Sequence, residues 1–240
     1  MRRLAENPDT PVPLSEHLYA VLARALELSR RSHGAFDPTV GPFVALWRGA
    51  RSEGRLPSRA ALDSAAQLVG WRKIHLDTVA RTARLDIAGM KVDLGGIAKG
   101  YIIHQALAEL RRQGARRAMI QAGGDIVTGD APPGRRGWRV DVPESGRALG
   151  LRARALANAA LAISGDTEQF VVVDGVRYSH VVDPRTGMGL TTRRRAVVIA
   201  PDGATADGLA TALVVLDDSA GAALLRGYPG VVAEVRVMSK

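Results

Sequence analysis

Residues 93–101, DLGGIAKGY, bring together a carboxylate, paired glycines and a lysine at the start of a predicted helix. Glycines let backbone N–H groups approach an anion closely, and the unpaired N–H groups of a helix start add partial positive charge where Lys99 adds a whole charge. This combination is typical of phosphate binding, so a nucleotide or dinucleotide is the first ligand to consider. A tight strand-to-helix turn with a surface lysine is the alternative, because short glycine patterns often recur by chance.

Asp207 and Thr211 form a second candidate site near the start of another predicted helix. Side chains four residues apart project from the same helix face, so a carboxylate and a hydroxyl would lie about one turn apart. Magnesium is usually held by one or two protein oxygens together with water and substrate phosphate, and a carbonyl of the glycine loop could add a ligand. The alternative is an aspartate that stabilises the helix dipole and a threonine bonded to its own backbone.

Residues 178–187, YSHVVDPRTG, contain the third candidate, His180. A period of two places Tyr178, His180 and Val182 on one face of a predicted strand, which Asp183-Pro184 would end in a turn. A neutral imidazole at the end of a strand could accept the proton of an attacking hydroxyl group. A hydrogen-bonded structural histidine is the alternative.

The composition excludes several classes of protein. The 240 residues are 46% hydrophobic, enough for the core of one large domain or two small ones. No apolar run approaches the ~20 residues of a membrane span, and the first twenty residues show no hydrophobic core of an export signal. The absence of cysteine excludes disulfides and thiolate metal ligands. The net charge of +9 is scattered in short arginine groups, and aromatic residues are only 4%, so we predict no nucleic-acid partner.

The hydrophobic pattern predicts helices and strands that alternate loosely, with several antiparallel hairpins. Residues 34–48 are interpreted as a loop followed by a short apolar turn, because prolines and glycines interrupt them. These features favour an α+β fold: a single domain over residues 1–240 with a mixed, largely antiparallel sheet and flanking helices. Helices are predicted at residues 15–32, 59–69, 205–216 and 220–225, with one more that starts near Lys99 and ends at Gly114. Strands are predicted at residues 75–76, 83–87, 118–121, 139–142, 161–164, 170–173, 178–182, 196–200 and 231–237, with a hairpin turn at Asp174-Gly175.

Five sequence blocks stand in order over about 180 residues. The blocks are GAFDPTVGPFVALWR (34–48), VDLGGIAKGY (92–101), QAGGDI (121–126), ISGDTEQFVVVDGVRYSHVVDPRTG (163–187) and VVIAPDGATADGLATAL (197–213). Together they closely resemble the ApbE-type FAD:protein FMN transferases. The resemblance implies an ApbE-like enzyme that binds FAD with magnesium and cleaves its pyrophosphate. FMN would then be linked through a phosphoester bond to a threonine or serine of a target protein, with release of AMP.

The resemblance also implies roles for individual residues. The expected metal ligands are Asp207, Thr211 and the carbonyl of Gly96, and His180 matches the histidine proposed as the base in the family. The expected FAD contacts are Ala35, Phe36, Asp37, Asp93, Lys99 and the region of His180.

The chain departs from the family pattern at two places. Family members usually begin with a signal peptide, often carrying a lipid-bearing cysteine, followed by a strand and a tyrosine-containing loop over the flavin. Neither precedes the segment that reads MRRLAENP here, so localisation stays open between the cytoplasm and the periplasmic or inner-membrane location usual for the family. Met188-Gly189-Leu190 differ from the usual continuation of the DPRTG turn, which indicates a subfamily.

Two other functions fit the same residues. An FAD pyrophosphate hydrolase would use the same metal and leaving group with water as the acceptor, and would release FMN and AMP. A non-catalytic FAD-binding protein would keep FAD intact in the presence of magnesium.

Overall fold

Residues 2–142, 154–165 and 170–238 are described by the structure, a computed structural model. Residues 166–169 of the 163–187 block lie outside the described part. The chain divides into two compact units, the first made of Met1–Leu94 and Asp166–Arg193, and the second of Gly95–Gly165 and Arg194–Lys240.

The first unit begins with helices that sequence signals explain. Ser15 caps the second helix, because its side chain accepts a hydrogen bond from the N–H of Leu18. This helix buries an apolar face of Val21, Leu22, Ala25 and Leu28. The helices of the unit are α1 (Arg2–Glu6), α2 (Glu16–Arg31), α3 (Gly41–Glu53) and α4 (Arg59–Ala66), with a 3₁₀ turn at Trp71–Lys73.

The strands of the first unit form two small antiparallel groups. One is a three-stranded sheet in the order β1, β3, β2, and the other is a hairpin of β9 and β10. Asp174 and Gly175 connect the hairpin with φ angles of 50° and 74°, as a two-residue turn requires, so this predicted turn is confirmed. The strands are β1 (Val12–Pro13), β2 (Ile74–Asp77), β3 (Thr82–Leu85), β9 (Phe170–Val173) and β10 (Val176–Ser179).

The loop interpretation of residues 34–48 is wrong in its second half. Helix α3 begins at Gly41 with Pro42 in its first turn, where the missing N–H of proline costs no hydrogen bond. Phe43 and Trp47 are buried on the inner face of the helix. Proline and glycine therefore mark the start of a helix here rather than a loop.

The second unit is a five-stranded antiparallel sheet covered by helices. The strand order is β12, β11, β8, β5, β4, and a separate two-stranded ribbon is formed by β6 and β7. The strands are β4 (Met119–Ala122), β5 (Asp125–Thr128), β6 (Trp138–Val140), β7 (Arg154–Leu156), β8 (Ala160–Gly165), β11 (Arg194–Ala200) and β12 (Val232–Val237). The helices are α5 (Ala98–Arg112), α6 (Gly203–Val215) and α7 (Asp218–Leu225).

Helix α6 is the central helix of the second unit. It packs against β8, β11 and α5, and nearly all of its residues are buried. Its contact with α5 is very close: a Cβ atom on Gly100 would lie 2.1 Å from the carbonyl oxygen of Gly203 and 2.8 Å from Cβ of Asp207. The start of α5 can therefore reach α6 only because residue 100 has no side chain.

The predicted fold class is confirmed, since helices flank antiparallel sheets and every strand pair among the described residues is antiparallel. The single domain over residues 1–240 stays a prediction, because the two compact units do not show whether the chain folds as one domain.

The predicted strand at 178–182 is wrong at its end, because β10 stops at Ser179 and His180 follows it. Within the described ranges, no helix has the length and hydrophobicity needed to cross a bilayer.

Gly100→Ala should destabilise the protein by about 1 to 3 kcal/mol or more, because the added methyl group overlaps the backbone of α6. Urea unfolding followed by circular dichroism measures the change. The control is Gly49→Ala within α3, where an added Cβ meets no atom within 4 Å and should stabilise the helix by roughly 0.5 to 1 kcal/mol. Equal stabilities for the two variants would contradict the close helix contact.

Candidate active site

Asp207 is a buried carboxylate on an otherwise apolar helix. Its relative exposure is 6%, and its Oδ2 atom accepts a hydrogen bond of 3.0 Å from the backbone N–H of Gly100. The aspartate that caps α6 is Asp202, whose side chain accepts from the N–H of Thr205. Asp207 therefore does not serve as the helix cap, and its burial is unexplained by the needs of α6 itself.

The first turn of α5 brings Lys99 to this carboxylate. The Nζ atom of Lys99 lies 2.5 Å from Oδ2 of Asp125 and 3.8 Å from Oδ1 of Asp207. Lys99 is about one third exposed, whereas both aspartates are almost fully buried. We call Lys99, Asp125 and Asp207 the aspartate–lysine cluster.

Asp125 is a site residue that sequence reasoning missed. It is the first residue of β5, directly after the β4–β5 turn, where Gly123 and Gly124 have φ angles of 51° and 89°. The QAGGDI block contributes to the family resemblance, but the motif alone assigns no role to this carboxylate. The signal in the sequence is an aspartate directly after paired glycines at the start of a strand.

Burial perturbs both acidic groups of the cluster. It raises the pKa of Asp125 to about 6, with a further contribution from the negative charge of Asp207, while Lys99 acts in the opposite direction. Burial also raises the pKa of Asp207, against the lowering effects of Lys99 and the Gly100 N–H. Two buried acids thus share one lysine, which leaves an excess of negative charge.

Thr211 and Gly96 lie together beside the cluster in the second unit. The Oγ1 atom of Thr211 donates a hydrogen bond of 3.2 Å to the carbonyl oxygen of Gly96. Neighbouring ligands of an octahedral magnesium ion, each at about 2.1 Å, lie about 3 Å apart, so the spacing of these two oxygens fits such an ion. The described residues contain no group of three or more His, Asp or Glu side chains suited to a metal, so an ion here would need the hydroxyl and carbonyl oxygens as well as Asp207.

The start of α5 differs in one respect from the expected phosphate site. The N–H of Gly100 belongs to the first turn of the helix, and it donates to Asp207 within the protein. The positive end of this helix therefore already stabilises a carboxylate. Lys99 lies in the first turn, as predicted. Its side chain is about one third exposed, so a phosphate could still reach it.

The remaining predicted site residues belong to the first unit. One of them, Asp37, holds the loop of the 34–48 motif in place by hydrogen bonds. Its Oδ1 atom accepts hydrogen bonds from the N–H and the hydroxyl of Thr39, and its Oδ2 atom accepts from the N–H of Trp71. Burial raises the pKa of Asp37, although these hydrogen bonds act in the opposite direction. The carboxylate therefore fixes the fold of the 34–48 motif, and its expected contact with FAD stays a prediction.

The neighbours of Asp37 are similarly placed by packing. Ala35 and Phe36 are buried, with relative exposures of 1% and 4%. Asp93 is half-buried, and its N–H donates to the carbonyl of Pro38, which ties Asp93 to the same loop of the first unit. The expected FAD contacts of these residues also stay predictions.

His180 is exposed in the first unit, beside a groove with an aromatic wall. The rings of Trp47 and Tyr178 lie 5.2 Å apart at this wall, and Arg48 and Arg51 line the same groove. An exposed imidazole there could meet a group carried by another protein, as its predicted role as a base requires.

Trp47 also connects two of the sequence motifs. Its Nε1 atom donates a hydrogen bond of 2.8 Å to the carbonyl of Gly187, in the DPRTG turn. Asp183 shapes that turn, since its carboxylate accepts from the backbone and the guanidinium of Arg185. The 34–48 and 178–187 motifs therefore form one structural element of the first unit.

A polar cavity of about 550 Å³ lies elsewhere in the first unit. Its lining includes Asp37, Trp71, Arg72 and Arg185, and the guanidinium of Arg72 lies 4.4 Å from the centre of the Trp71 ring. This volume is within the range of small-molecule sites. Aromatic and cationic groups suit a planar or anionic ligand.

The structure thus brings Gly96, Lys99, Asp207 and Thr211 together in the second unit. Together with Asp125 they define an α+β protein with a carboxylate–lysine centre at a helix start, suited to a hard cation and a phosphate-containing ligand. A sequence model of the ApbE family matches residues 1–235. The chain belongs to the ApbE family, and the resemblance drawn from the five motifs is confirmed.

Several curated relatives bear the name FAD:protein FMN transferase. The protein from Treponema pallidum is 35% identical over 244 residues, covering 95% of this chain and 67% of the relative. The proteins from Haemophilus influenzae and Vibrio cholerae are 34% and 33% identical, covering 88% and 89% of this chain. The chain spans 63% and 65% of the length of those two relatives.

Solved structures of the family have the same fold. The ApbE protein from Thermotoga maritima matches with a TM-score of 0.83 and 29% identity, over 99% of this chain and 81% of its own. The flavin transferase ApbE from Vibrio cholerae matches with a TM-score of 0.83 and 30% identity, over 99% of this chain and 76% of its own.

The raised pKa of Asp125 predicts a pH dependence of stability. Between pH 3.8 and about 6 the folded protein keeps a proton on Asp125 that the unfolded chain has released, so the free energy of unfolding falls as pH rises through this window. In metal-free buffer, the free energy of unfolding of the wild-type protein should fall on the order of 1 to 3 kcal/mol across this window, and Asp125→Asn should remove this fall. Urea unfolding at a series of pH values measures it.

The control is Asp141→Asn, which removes the same charge from an exposed position in the second unit. Its pH dependence should match that of the wild-type protein. A decline of equal size in Asp125→Asn would contradict the raised pKa.

Proposed function

We propose that this protein catalyses the magnesium-dependent transfer of FMN from FAD to a threonine or serine hydroxyl of a target protein, with release of AMP. Membership of the ApbE family and the names of the curated relatives support this activity. The structural observation that carries the proposal is the buried Asp207, held by the start of α5 and lying beside Lys99 and the Thr211–Gly96 pair.

The reaction exchanges the phosphoanhydride bond of FAD for a phosphoester bond. The acceptor oxygen bonds to the phosphorus of the FMN half, and the bond from that phosphorus to the bridging oxygen of the pyrophosphate breaks. AMP leaves with the bridging oxygen, and the acceptor hydroxyl gives up its proton. The product is a phosphoester between FMN and the target protein, so no oxidant or reductant is needed.

Asp207, Thr211 and the carbonyl of Gly96 are the proposed magnesium ligands. All three offer hard oxygen atoms, and the 3.2 Å between the Thr211 and Gly96 oxygens fits two neighbouring ligand positions. Asp207 supplies the only negative charge among them. When bound, magnesium supplies charge neutralisation for the pyrophosphate oxygens as the phosphoryl group is transferred.

Lys99 is the proposed phosphate contact of the second unit. Its ammonium group is partly exposed and is held at the start of α5 by Asp125. A fixed positive charge can stabilise the transferred phosphoryl group without reorganising during the reaction. Asp37, Asp93, Ala35 and Phe36 are proposed FAD contacts of the first unit on the basis of the family resemblance.

His180 is the proposed base that accepts the proton of the acceptor hydroxyl. Its exposure beside the groove of Trp47 and Tyr178 supports access by a protein side chain. A nitrogen of the imidazole ring can accept a proton from a hydroxyl group, which suits this role.

The test of the activity is an incubation with FAD, magnesium and a threonine-containing acceptor protein. Transfer predicts equal amounts of released AMP and of FMN covalently attached to the acceptor, as measured by chromatography and mass spectrometry. Hydrolysis predicts AMP with an equal amount of free FMN. Intact FAD after incubation would contradict both and would favour a binding protein.

Asp207→Asn should lower magnesium-dependent AMP release by ~100-fold or more, because the site loses its charged ligand. Asparagine is the informative substitution, since its side-chain carbonyl can still accept the Gly100 N–H. AMP release is measured against magnesium concentration beside a melting curve.

The matched control is Asp202→Asn on the same helix, where asparagine is an equally good cap. It should retain wild-type turnover and stability. An Asp207→Asn protein with unchanged magnesium dependence would contradict the assignment of Asp207 as a magnesium ligand.

His180→Ala should lower transfer ~100-fold to 10,000-fold, as expected for loss of a general base, while FAD binding is largely kept. Stopped assays give the rate, and flavin fluorescence titration gives the affinity. His17→Ala, at an exposed position of α2, controls for loss of an imidazole. Unchanged turnover in His180→Ala would reduce His180 to a structural residue.

A further inference from the structure

We propose that Asp125 is a positioning residue that holds the ammonium group of Lys99 away from Asp207, so that Asp207 stays available to a divalent cation. The inference rests on the cation site of the proposed function and adds a residue that the sequence motifs leave without a role. It assigns Asp125 an action through Lys99 rather than direct contact with the reacting atoms.

The distances in the cluster carry the first step. Lys99 Nζ lies 2.5 Å from Asp125 Oδ2 but 3.8 Å from Asp207 Oδ1. The other oxygen of Asp207 is engaged by the Gly100 N–H, so Oδ1 is the atom that faces both the lysine and any incoming cation. Without Asp125, Lys99 would move to Asp207, the remaining buried carboxylate beside it.

Such a move would weaken the cation site. A lysine in direct contact with Asp207 neutralises its charge and competes with a cation for the same oxygen. Asp125 prevents this because it offers the ammonium group a closer partner. It also keeps the positive charge next to the site, where phosphate can reach it.

The β4–β5 turn is shaped for the path of the lysine. A Cβ atom on Gly123 would lie 3.1 Å from Cδ and 3.7 Å from Cε of Lys99, so the aliphatic part of the lysine passes over this glycine. Asp125 follows two residues later at the end of that path. Glycine and aspartate thus position the two ends of one side chain.

The contacts of Asp125 are few for a buried carboxylate. Its partners among the described residues are the ammonium group of Lys99, 2.5 Å from Oδ2, and the backbone N–H of Ile163 in the neighbouring strand β8. Asp37 is the contrasting case, since both of its oxygens bind loop groups. The remaining alternative is that Asp125 attracts the cation directly by its negative charge.

A double-mutant cycle separates these two actions. The full chain is titrated with MnCl₂ in the absence of FAD, and free Mn²⁺ is counted by electron paramagnetic resonance. The proteins are wild type, Asp125→Asn, Lys99→Met and the double variant, with Asp141→Asn as the control for loss of one surface charge. Melting curves accompany each titration, and Asp125→Ser replaces Asp125→Asn if the latter does not fold.

The proposal predicts that Asp125→Asn weakens Mn²⁺ binding on the order of 10-fold or more, since Lys99 then pairs with Asp207. Lys99→Met removes the competitor, so the double variant should bind Mn²⁺ within about 3-fold of Lys99→Met. This restoration is an outcome that a merely structural role of Asp125 cannot produce.

Three results would overturn the inference. Unchanged Mn²⁺ affinity in Asp125→Asn removes any role for Asp125, and an equal loss in both lysine backgrounds shows that its charge acts directly on the cation. Both leave the cation site of the proposed function intact. A wild-type protein that binds no Mn²⁺ at millimolar concentration would instead overturn the cation site itself, and this inference with it.

Discussion

The close contact between the start of α5 and helix α6 fixes the whole charged site of the second unit. The backbones approach because Gly100 and Gly203 lack side chains at the crossing point. That approach lets the Gly100 N–H bind Asp207, and it places Lys99 one residue earlier beside the same carboxylate. The arrangement of the charged groups therefore depends on the close packing of two helix backbones at these glycines.

Burial of the two carboxylates explains why the site suits a cation. Charged groups are costly to bury unless they are paired, and Asp125 and Asp207 share a single lysine. Burial raises the pKa values of both acids, and for Asp125 the negative charge of Asp207 adds to this effect. A divalent ion and the phosphates of a dinucleotide would complete the balance, which links the electrostatics of the folded chain to its proposed activity.

Local sequence signals predicted the elements better than their contacts. The spacing of Asp207 and Thr211 correctly indicated one helix face, because that relation depends only on the helical period. The sequence pattern does not predict helix α3, because Pro42 resembles an interruption, although the first helical turn tolerates proline. The pattern also assigns no role to Asp125, because its partner, Lys99, lies 26 residues earlier in sequence and meets it only through the packing of α5 on the sheet. His180 was expected within a strand, but its backbone leaves the strand one residue before it, and periodicity cannot locate such an end.

The position of a bound ion is the most direct test of the proposed cation site. Crystals of the protein soaked in MnCl₂ would be measured at an X-ray energy where manganese scatters anomalously. We expect one strong anomalous peak within ~2.3 Å of oxygens from Asp207, Thr211 and Gly96, with Lys99 still paired with Asp125. A peak at another position in the chain, or no peak at saturating Mn²⁺, would contradict it.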